Sequence, residues 1–217
     1  MHVAAAIFDL DGVLADTTQA HYLSWLRLAK EKGIYFDKQI NERLKGVSRM
    51  ASLEILLERS GREFSAAEKA SLAAGKNNYY REIIGSLTPE DLLPGAVTVL
   101  DACRTRGIKT ALASASENAP DVIKNLGIAP LLDYIVDAKY ITNPKPHPDI
   151  FLSAAMGVDA EPRFCIAFED AEAGIRAIRA AKMMAIGIGC RKRLCQADMV
   201  FASLADFSLG MIPPFCV

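Results

Sequence analysis

The sequence predicts an α/β fold, a doubly wound parallel sheet core with an inserted helical cap domain. Three features lead there. Short apolar runs alternate with helical segments, the runs end in polar or acidic residues, and one long helical stretch interrupts the alternation near the start.

Val3-Ala-Ala-Ala-Ile-Phe-Asp9 reads as a first strand buried on both faces, because its apolar residues do not alternate with polar ones. The stretch from about Asp16 to Gly85 shows helical periodicity and no strong strand: Leu23, Leu26 and Ala29 share one face, as do Leu53, Leu56 and Leu57. Gly12 on one side and Gly85, Pro89, Pro94 and Gly95 on the other supply hinge chemistry. The expected division is therefore a core of residues 1–15 and 88–217 and a cap of residues 16–87, mobile over the sheet.

Alternation resumes after the cap. Ile108–Ser114, Cys165–Glu169 and Met183–Ile188 read as further buried strands. Ala96–Arg106, Asp121–Leu126, Asp149–Ala155 and Ala171–Ala180 read as the helices between and around them. No internal repeat or low-complexity segment breaks this order.

Composition narrows the function classes. With 25 Lys and Arg against 26 Asp and Glu the net charge is −1, so no global field draws nucleic acid or an anionic bilayer; a compact anionic ligand needs only local charge. A chain of 217 residues with 51% hydrophobic residues folds without disulfide or metal staples. Its apolar runs fall short of the ~18 residues that a membrane span needs. Asp9 and Asp11 interrupt the first run and no basic segment precedes it, so no secretory signal is expected. The five cysteines, Cys103, Cys165, Cys190, Cys195 and Cys216, form neither a C-x-x-C pair nor an even framework, and a cytoplasmic protein with incidental thiols is expected. A hinged cap is compatible with a monomer.

Ligands of open α/β sheets bind at the carboxyl ends of the strands. Asp9-Leu-Asp11-Gly12 ends the first run, Ser114 the second and Glu169-Asp170 the third, while Asn143-Pro-Lys145-Pro-His-Pro supplies a cation between two prolines. Carboxylates with a lysine and a hydroxyl suit Mg²⁺ and phosphate. Asp9, the Asp11 backbone carbonyl, Glu169 and Asp170 are the candidate metal ligands, and Lys145 would offset the charge of a transferring phosphoryl group. His147 and His2 belong to no metal pattern.

Phe8-Asp-Leu-Asp-Gly-Val-Leu-Ala-Asp-Thr17, Ser114, Lys145 and Glu169-Asp170 together resemble the four motifs of the haloacid dehalogenase superfamily of phosphotransferases, over essentially the whole chain. A narrower resemblance, to the β-phosphoglucomutases, is carried by His21, Trp25, Leu44-Lys-Gly-Val-Ser-Arg49, Ser52, Ala113-Ser-Ala-Ser116, Asn118 and Lys145-Pro-His-Pro-Asp-Ile-Phe151.

The resemblance implies that Asp9 accepts a phosphoryl group as an aspartyl phosphate and that Asp11 is the general acid and base. It implies a phosphosugar substrate: β-glucose 1-phosphate passes to glucose 6-phosphate through β-glucose 1,6-bisphosphate, which also primes the enzyme. Thr17 and Ser114 would orient the transferring group. Arg49, Ser116 and Asn118 would hold the distal phosphate, a role that suits the two parallel hydrogen bonds of a guanidinium. His21, Trp25, Lys45, Gly46, Val47, Ser52 and Lys76 would serve cap closure and sugar contacts, although His21 one turn before Trp25 equally fits a packed partner of the indole.

Two departures stand out. Glu117 lies between Ser116 and Asn118, where the resemblance implies a basic residue, and Glu172 stands where it implies an amide near Asp170. A sugar-phosphate phosphatase uses the same nucleophile and differs only in admitting water. A non-catalytic phosphosugar-binding protein would need neither Asp9 nor Asp11, and a dehalogenase would leave Asp11 and Glu169-Asp170 unexplained.

Overall fold

The computed structural model describes residues 3–213. Six strands, β1 (Ala5–Phe8), β2 (Lys109–Leu112), β3 (Tyr134–Ile135), β4 (Cys165–Glu169), β5 (Met184–Ile188) and β6 (Met199–Phe201), form one sheet in the order β3-β2-β1-β4-β5-β6. Every pairing is parallel, with Phe8 level with Leu112 on one side and Phe168 on the other. The chain runs outward from β1 through β2 to β3, then returns to β4 on β1's other side. The order reverses at β1, which puts the ligand crevice where Asp9 and Glu169 leave the sheet.

Buried side chains cover both faces, as the unbroken apolar runs require. Ala6 and Phe8 point into one cluster with Val99 and Leu100 of helix α5 (Ala96–Thr105) and Val122 and Ile123 of α6 (Ala119–Asn125). Ala5 and Ile7 point into the other, with Phe151 and Ala154 of α7 (Asp149–Gly157) and Ile175 and Ile178 of α8 (Glu172–Ala180). Alternation along β1 thus feeds two cores at once.

Between β1 and β2 lies the helical cap: α1 (Thr18–Lys32), α2 (Lys38–Leu44), α3 (Arg49–Leu57) and α4 (Ala66–Ile84). The starts of three of these are written in the sequence. Asp37 accepts from Ile40 N at 2.8 Å, Ser48 accepts from Ala51 N at 3.3 Å, and Ser65 and Glu68 form a reciprocal capping box. A separate cluster of Trp25, Leu28, Leu53, Leu56 and Leu72 gives the cap its own core. Tyr80 and Ile84, late in α4, pack instead with the sheet's cluster.

Two sequence expectations are corrected. Leu23 does not join the buried face of α1, being 41% exposed; Trp25 and Leu28 take that place, so the stripe is rotated from the predicted one. The edge strands β3 and β6, of two and three residues, were not predicted, because such short half-buried segments carry no periodicity to read. Among the described residues, no helix is long and apolar enough to cross a membrane. His2 and Cys216 lie outside the described residues, and the other four cysteines are free.

Candidate active site

Asp9 follows β1 directly, and its backbone N–H donates to the Phe168 carbonyl at 3.0 Å, continuing the β1–β4 ladder by one residue. Lys145 Nζ donates to Asp9 Oδ1 at 2.6 Å and to Glu169 Oε2 at 2.8 Å, with all three side chains buried. The other Glu169 oxygen accepts from the backbone N–H of Asp170 and Ala171 at 3.2 and 3.0 Å. The lysine and the following turn thereby fix the orientation of the Glu169 carboxylate. Gly174 makes room for it: a Cβ there would lie 1.9 Å from Glu169 Oε2.

One lysine facing so many acids leaves the crevice short of positive charge. Burial raises the Asp9 carboxyl to about 6 against the pull of Lys145, with Asp11 and Asp170 adding to the rise. Burial raises Asp170 to about 7, reinforced by Glu169 and eased by Lys45. Lys145 is itself held charged, since Asp9 and Glu169 outweigh its desolvation. Oxygens of Asp9, Glu169 and Asp170 lie within 4.8 Å of one another. An all-oxygen donor set with uncompensated negative charge fits a hard divalent cation such as Mg²⁺. The Asp11 carboxylate stands outside this group, so its backbone carbonyl is what Asp11 has to offer a metal.

That carboxylate is engaged elsewhere. Thr17 sits at the N-cap of α1, yet its hydroxyl caps nothing and donates to Asp11 Oδ1 instead. His21, one turn along, places Nε2 3.6 Å from the same oxygen. Lys76 Nζ lies 2.9 Å from His21 Nδ1. The lysine donates, so Nδ1 accepts and the imidazole proton belongs on Nε2, facing Asp11. Burial raises the Asp11 carboxyl, but His21 and Thr17 outweigh it and the net shift is downward. Burial and the neighbouring Lys76 lower His21. Burial, helped by Arg49 and opposed by Asp11, brings Lys76 down to about 7.

These groups face a cavity of about 280 Å³ between cap and sheet. Asp9, Asp11 and Asp170 line its sheet side. His21, Trp25, Lys45, Gly46, Val47, Arg49, Ser52 and Lys76 line its cap side, and Ser116 and Asn118 line it from the loop after β2. Of the sequence-predicted residues only Thr17, Ser114, Lys145 and Glu169 do not line it, and those four are buried. Ser114 Oγ accepts from Ser116 N at 3.1 Å, fixing the turn after β2. The Ser52 hydroxyl is turned to the Leu44 carbonyl at 3.4 Å, so it braces the loop before α3. His21 is no partner of the indole: its ring packs on Tyr80 with centroids 4.1 Å apart, and Lys76 rather than His21 lies over Trp25.

Three contributors were missed in the sequence. Tyr80 is fully buried against His21 and Lys76; Asn77 accepts from Asn118 Nδ2 at 2.9 Å across the cap boundary; Lys139 lines the cavity from the core. The i, i+4 spacing of Lys76 and Tyr80 was the available signal for the first.

Residues 3–182 match the haloacid dehalogenase-like hydrolases. The chain belongs to that family. It is 45% identical over 210 residues to the β-phosphoglucomutase of Bacillus subtilis, covering 96% of this chain and 93% of that one. The crystal structure of β-phosphoglucomutase from Clostridium difficile superposes with a TM-score of 0.92 at 44% identity, covering 95% of this chain and 93% of that one. The fructose-1-phosphate phosphatase of Escherichia coli is 29% identical over 185 residues, or 85% of this chain and 96% of that one.

Proposed function

We propose that this enzyme interconverts β-glucose 1-phosphate and glucose 6-phosphate by phosphoryl transfer through Asp9, with β-glucose 1,6-bisphosphate as the intermediate that also primes it. The observation that carries the reading is that Asp9 and Asp11 face one cap-covered cavity whose other wall presents Arg49. The 45% identity to a β-phosphoglucomutase supports the same sugar.

Asp9 Oδ1 is tied to Lys145, which leaves Oδ2 as the attacking atom. In the first half-reaction the phosphorylated Asp9 gives its group to the sugar's 6-hydroxyl, and Asp11 takes the proton as the O–P bond forms. The bisphosphate then presents its other phosphate. Asp9 attacks that phosphorus, the bond to the sugar O1 breaks, and Asp11 returns the proton to O1. One proton and one phosphoryl group have gone round, so the enzyme ends as it began. The downward shift keeps Asp11 ionised, the form in which it can accept the proton of the first half.

Thr17 and His21 hold Asp11 between uses, and Lys76 fixes the imidazole tautomer. Ser114 and Lys145 would hold the transferring oxygens; Arg49, Ser116 and Asn118 would hold the phosphate not in transfer. Asp9 and Asp170, with Glu169 behind them and the Asp11 carbonyl, would hold Mg²⁺, which when bound neutralises charge on the transferring group. The cap, with proposed bounds 16–87 against a core of 1–15 and 88–217, would exclude water, because water reaching phospho-Asp9 would hydrolyse it. Every group named lies on one chain, which is compatible with a monomer, and the free thiols suit a cytoplasmic, reducing location.

A ³¹P NMR time course with Mg²⁺, β-glucose 1-phosphate and a trace of the bisphosphate tests this. Glucose 6-phosphate should form without inorganic phosphate, and Asp9→Asn should be inert. Asp11→Asn should block transfer to the sugar yet still accept a phosphoryl group from acetyl phosphate. Stoichiometric release of inorganic phosphate would make the enzyme a sugar-phosphate phosphatase instead.

A further inference from the structure

Arg49, the proposed holder of the phosphate not in transfer, already has a partner in the cavity wall. Arg49 Nη2, at the first residue of α3 in the cap, lies 3.2 Å from Glu117 Oε2, in the core loop between β2 and α6. Both residues line the cavity, and Glu117 is the lining acid that stands apart from the Asp9, Asp11 and Asp170 group. The guanidinium best placed for a substrate phosphate is thus engaged by the protein's own carboxylate.

Carboxylate and phosphate compete for the same planar donors. We propose that Glu117 is a specificity-determining residue, an internal competitor that a phosphosugar must expel from Arg49 before its second phosphate can bind. This rests on the proposed phosphosugar reading. A ligand whose only phosphoryl group sits at Asp9 never meets Glu117, whereas a ligand with a phosphate at the far end must break the pair and then tolerate a displaced acid close by. The Glu117 side chain is 43% exposed, so it has open solvent into which to swing, and the penalty is a modest one.

The test is Glu117→Gln, alone and with Arg49→Ala, read in two ways. Isothermal titration with β-glucose 1,6-bisphosphate, carried out in the inert Asp9→Asn background, measures binding of a ligand with phosphates at both ends without turnover; Mg²⁺-dependent phosphorylation of the Asp9-intact enzyme by acetyl phosphate reports a ligand with no far-end phosphate. Glu117→Gln should tighten the bisphosphate by about threefold to tenfold, as removal of a partly exposed competing charge predicts. It should leave the KM for acetyl phosphate unchanged, and in the Arg49→Ala background the tightening should vanish. Unchanged binding of the bisphosphate, or an equal shift for acetyl phosphate, overturns the proposal. Release of inorganic phosphate by the unaltered enzyme overturns only the mutase reading, since the competition at Arg49 is the same in a phosphatase.

Discussion

Lys145 Nζ lies 2.6 Å from Asp9 Oδ1, in a contact where the lysine side chain is fully buried and the aspartate nearly so. The chain separates the two by 136 residues, and the sheet's switch point brings them together. The pair matters because Glu169 stands on the lysine's other side. Without the ammonium, two buried carboxylates would face each other with nothing between them.

Lys145→Met should therefore cost both activity and stability. Removing one partner of a buried charge pair destabilises by about 3–5 kcal/mol, which urea unfolding would measure. Asp9 and Glu169 both have carboxyls raised by burial, to about 6 and about 7. A raised carboxyl favours the folded state at low pH and loses that advantage as pH rises through the folded value. The variant's deficit should accordingly grow from pH 5 to pH 8. Adding Glu169→Gln should restore part of the stability and none of the phosphoryl transfer; full restoration of transfer would show that Lys145 acts only as a structural counter-charge.

Gly174 and Gly12 control the same crevice through space alone. A Cβ on Gly174 would lie 1.9 Å from Glu169 Oε2, and one on Gly12, whose φ is +80°, would lie 2.6 Å from Asp170 Oδ2. Gly174→Ala should move Glu169 off Lys145 and lower kcat by about a hundredfold, the effect of a misplacement near 1 Å, with the fold retained by circular dichroism. Gly12→Ala adds left-handed backbone strain and should weaken Mg²⁺ activation instead. Wild-type kinetics in either variant would mean that the crevice tolerates shifts the distances forbid.

Much of this crevice was legible in the sequence because motif residues cluster at strand ends. Asp9, Glu169 and Asp170 each close an apolar run, and Pro144 and Pro146 bracket Lys145. The cap was legible as helix but not as surface: Leu23 and Trp25 are both large apolar side chains, and only packing in the cluster with Leu53 and Leu72 decides which turns inward. Glu117 was recognisable as out of place. Its pairing with Arg49 could not be read, since it depends on how the cap sits over the loop after β2.

Mg²⁺ should stabilise the protein more at pH 8 than at pH 6. Asp170, with burial first and Glu169 second among the causes, is raised to about 7, so protons compete with the cation below that value. The ligand-free protein loses stability as pH rises through 6 to 7, and the cation reverses the loss where the acids are ionised. At a hundredfold excess over Kd, linkage gives about 2.7 kcal/mol, or a rise in Tm of roughly 5–10 °C for a chain of this size. Thermal unfolding with Mg²⁺ and with EDTA at both pH values measures it. Asp170→Asn should remove most of the rise, and an equal rise in that variant would place the cation elsewhere.

Lys76 should give phosphosugar binding a dependence on pH near neutrality. Burial, with Arg49 nearby, lowers its ammonium to about 7, so the cavity gains a positive charge as pH falls through that value. The KM for the phosphosugar should rise about threefold to tenfold between pH 6 and pH 8, on the scale of one nearby charge. The substrate's own second ionisation, near 6, acts in the opposite sense and acts equally on any variant. Lys76→Arg keeps its charge throughout the range, so its KM should lack the rise. Its effect on stability has the opposite sense: a lysine with a depressed folded value costs nothing above its ordinary value of 10.5, and the cost grows as pH falls from there to about 7, below which it is complete. Lys76→Met should therefore unfold at higher urea than the unaltered enzyme at pH 6, with the gap constant up to about pH 7 and narrowing from there towards pH 10. A Lys76→Arg profile that matches the wild type would assign the titration to another group and leave Lys76 as a packing residue over Trp25.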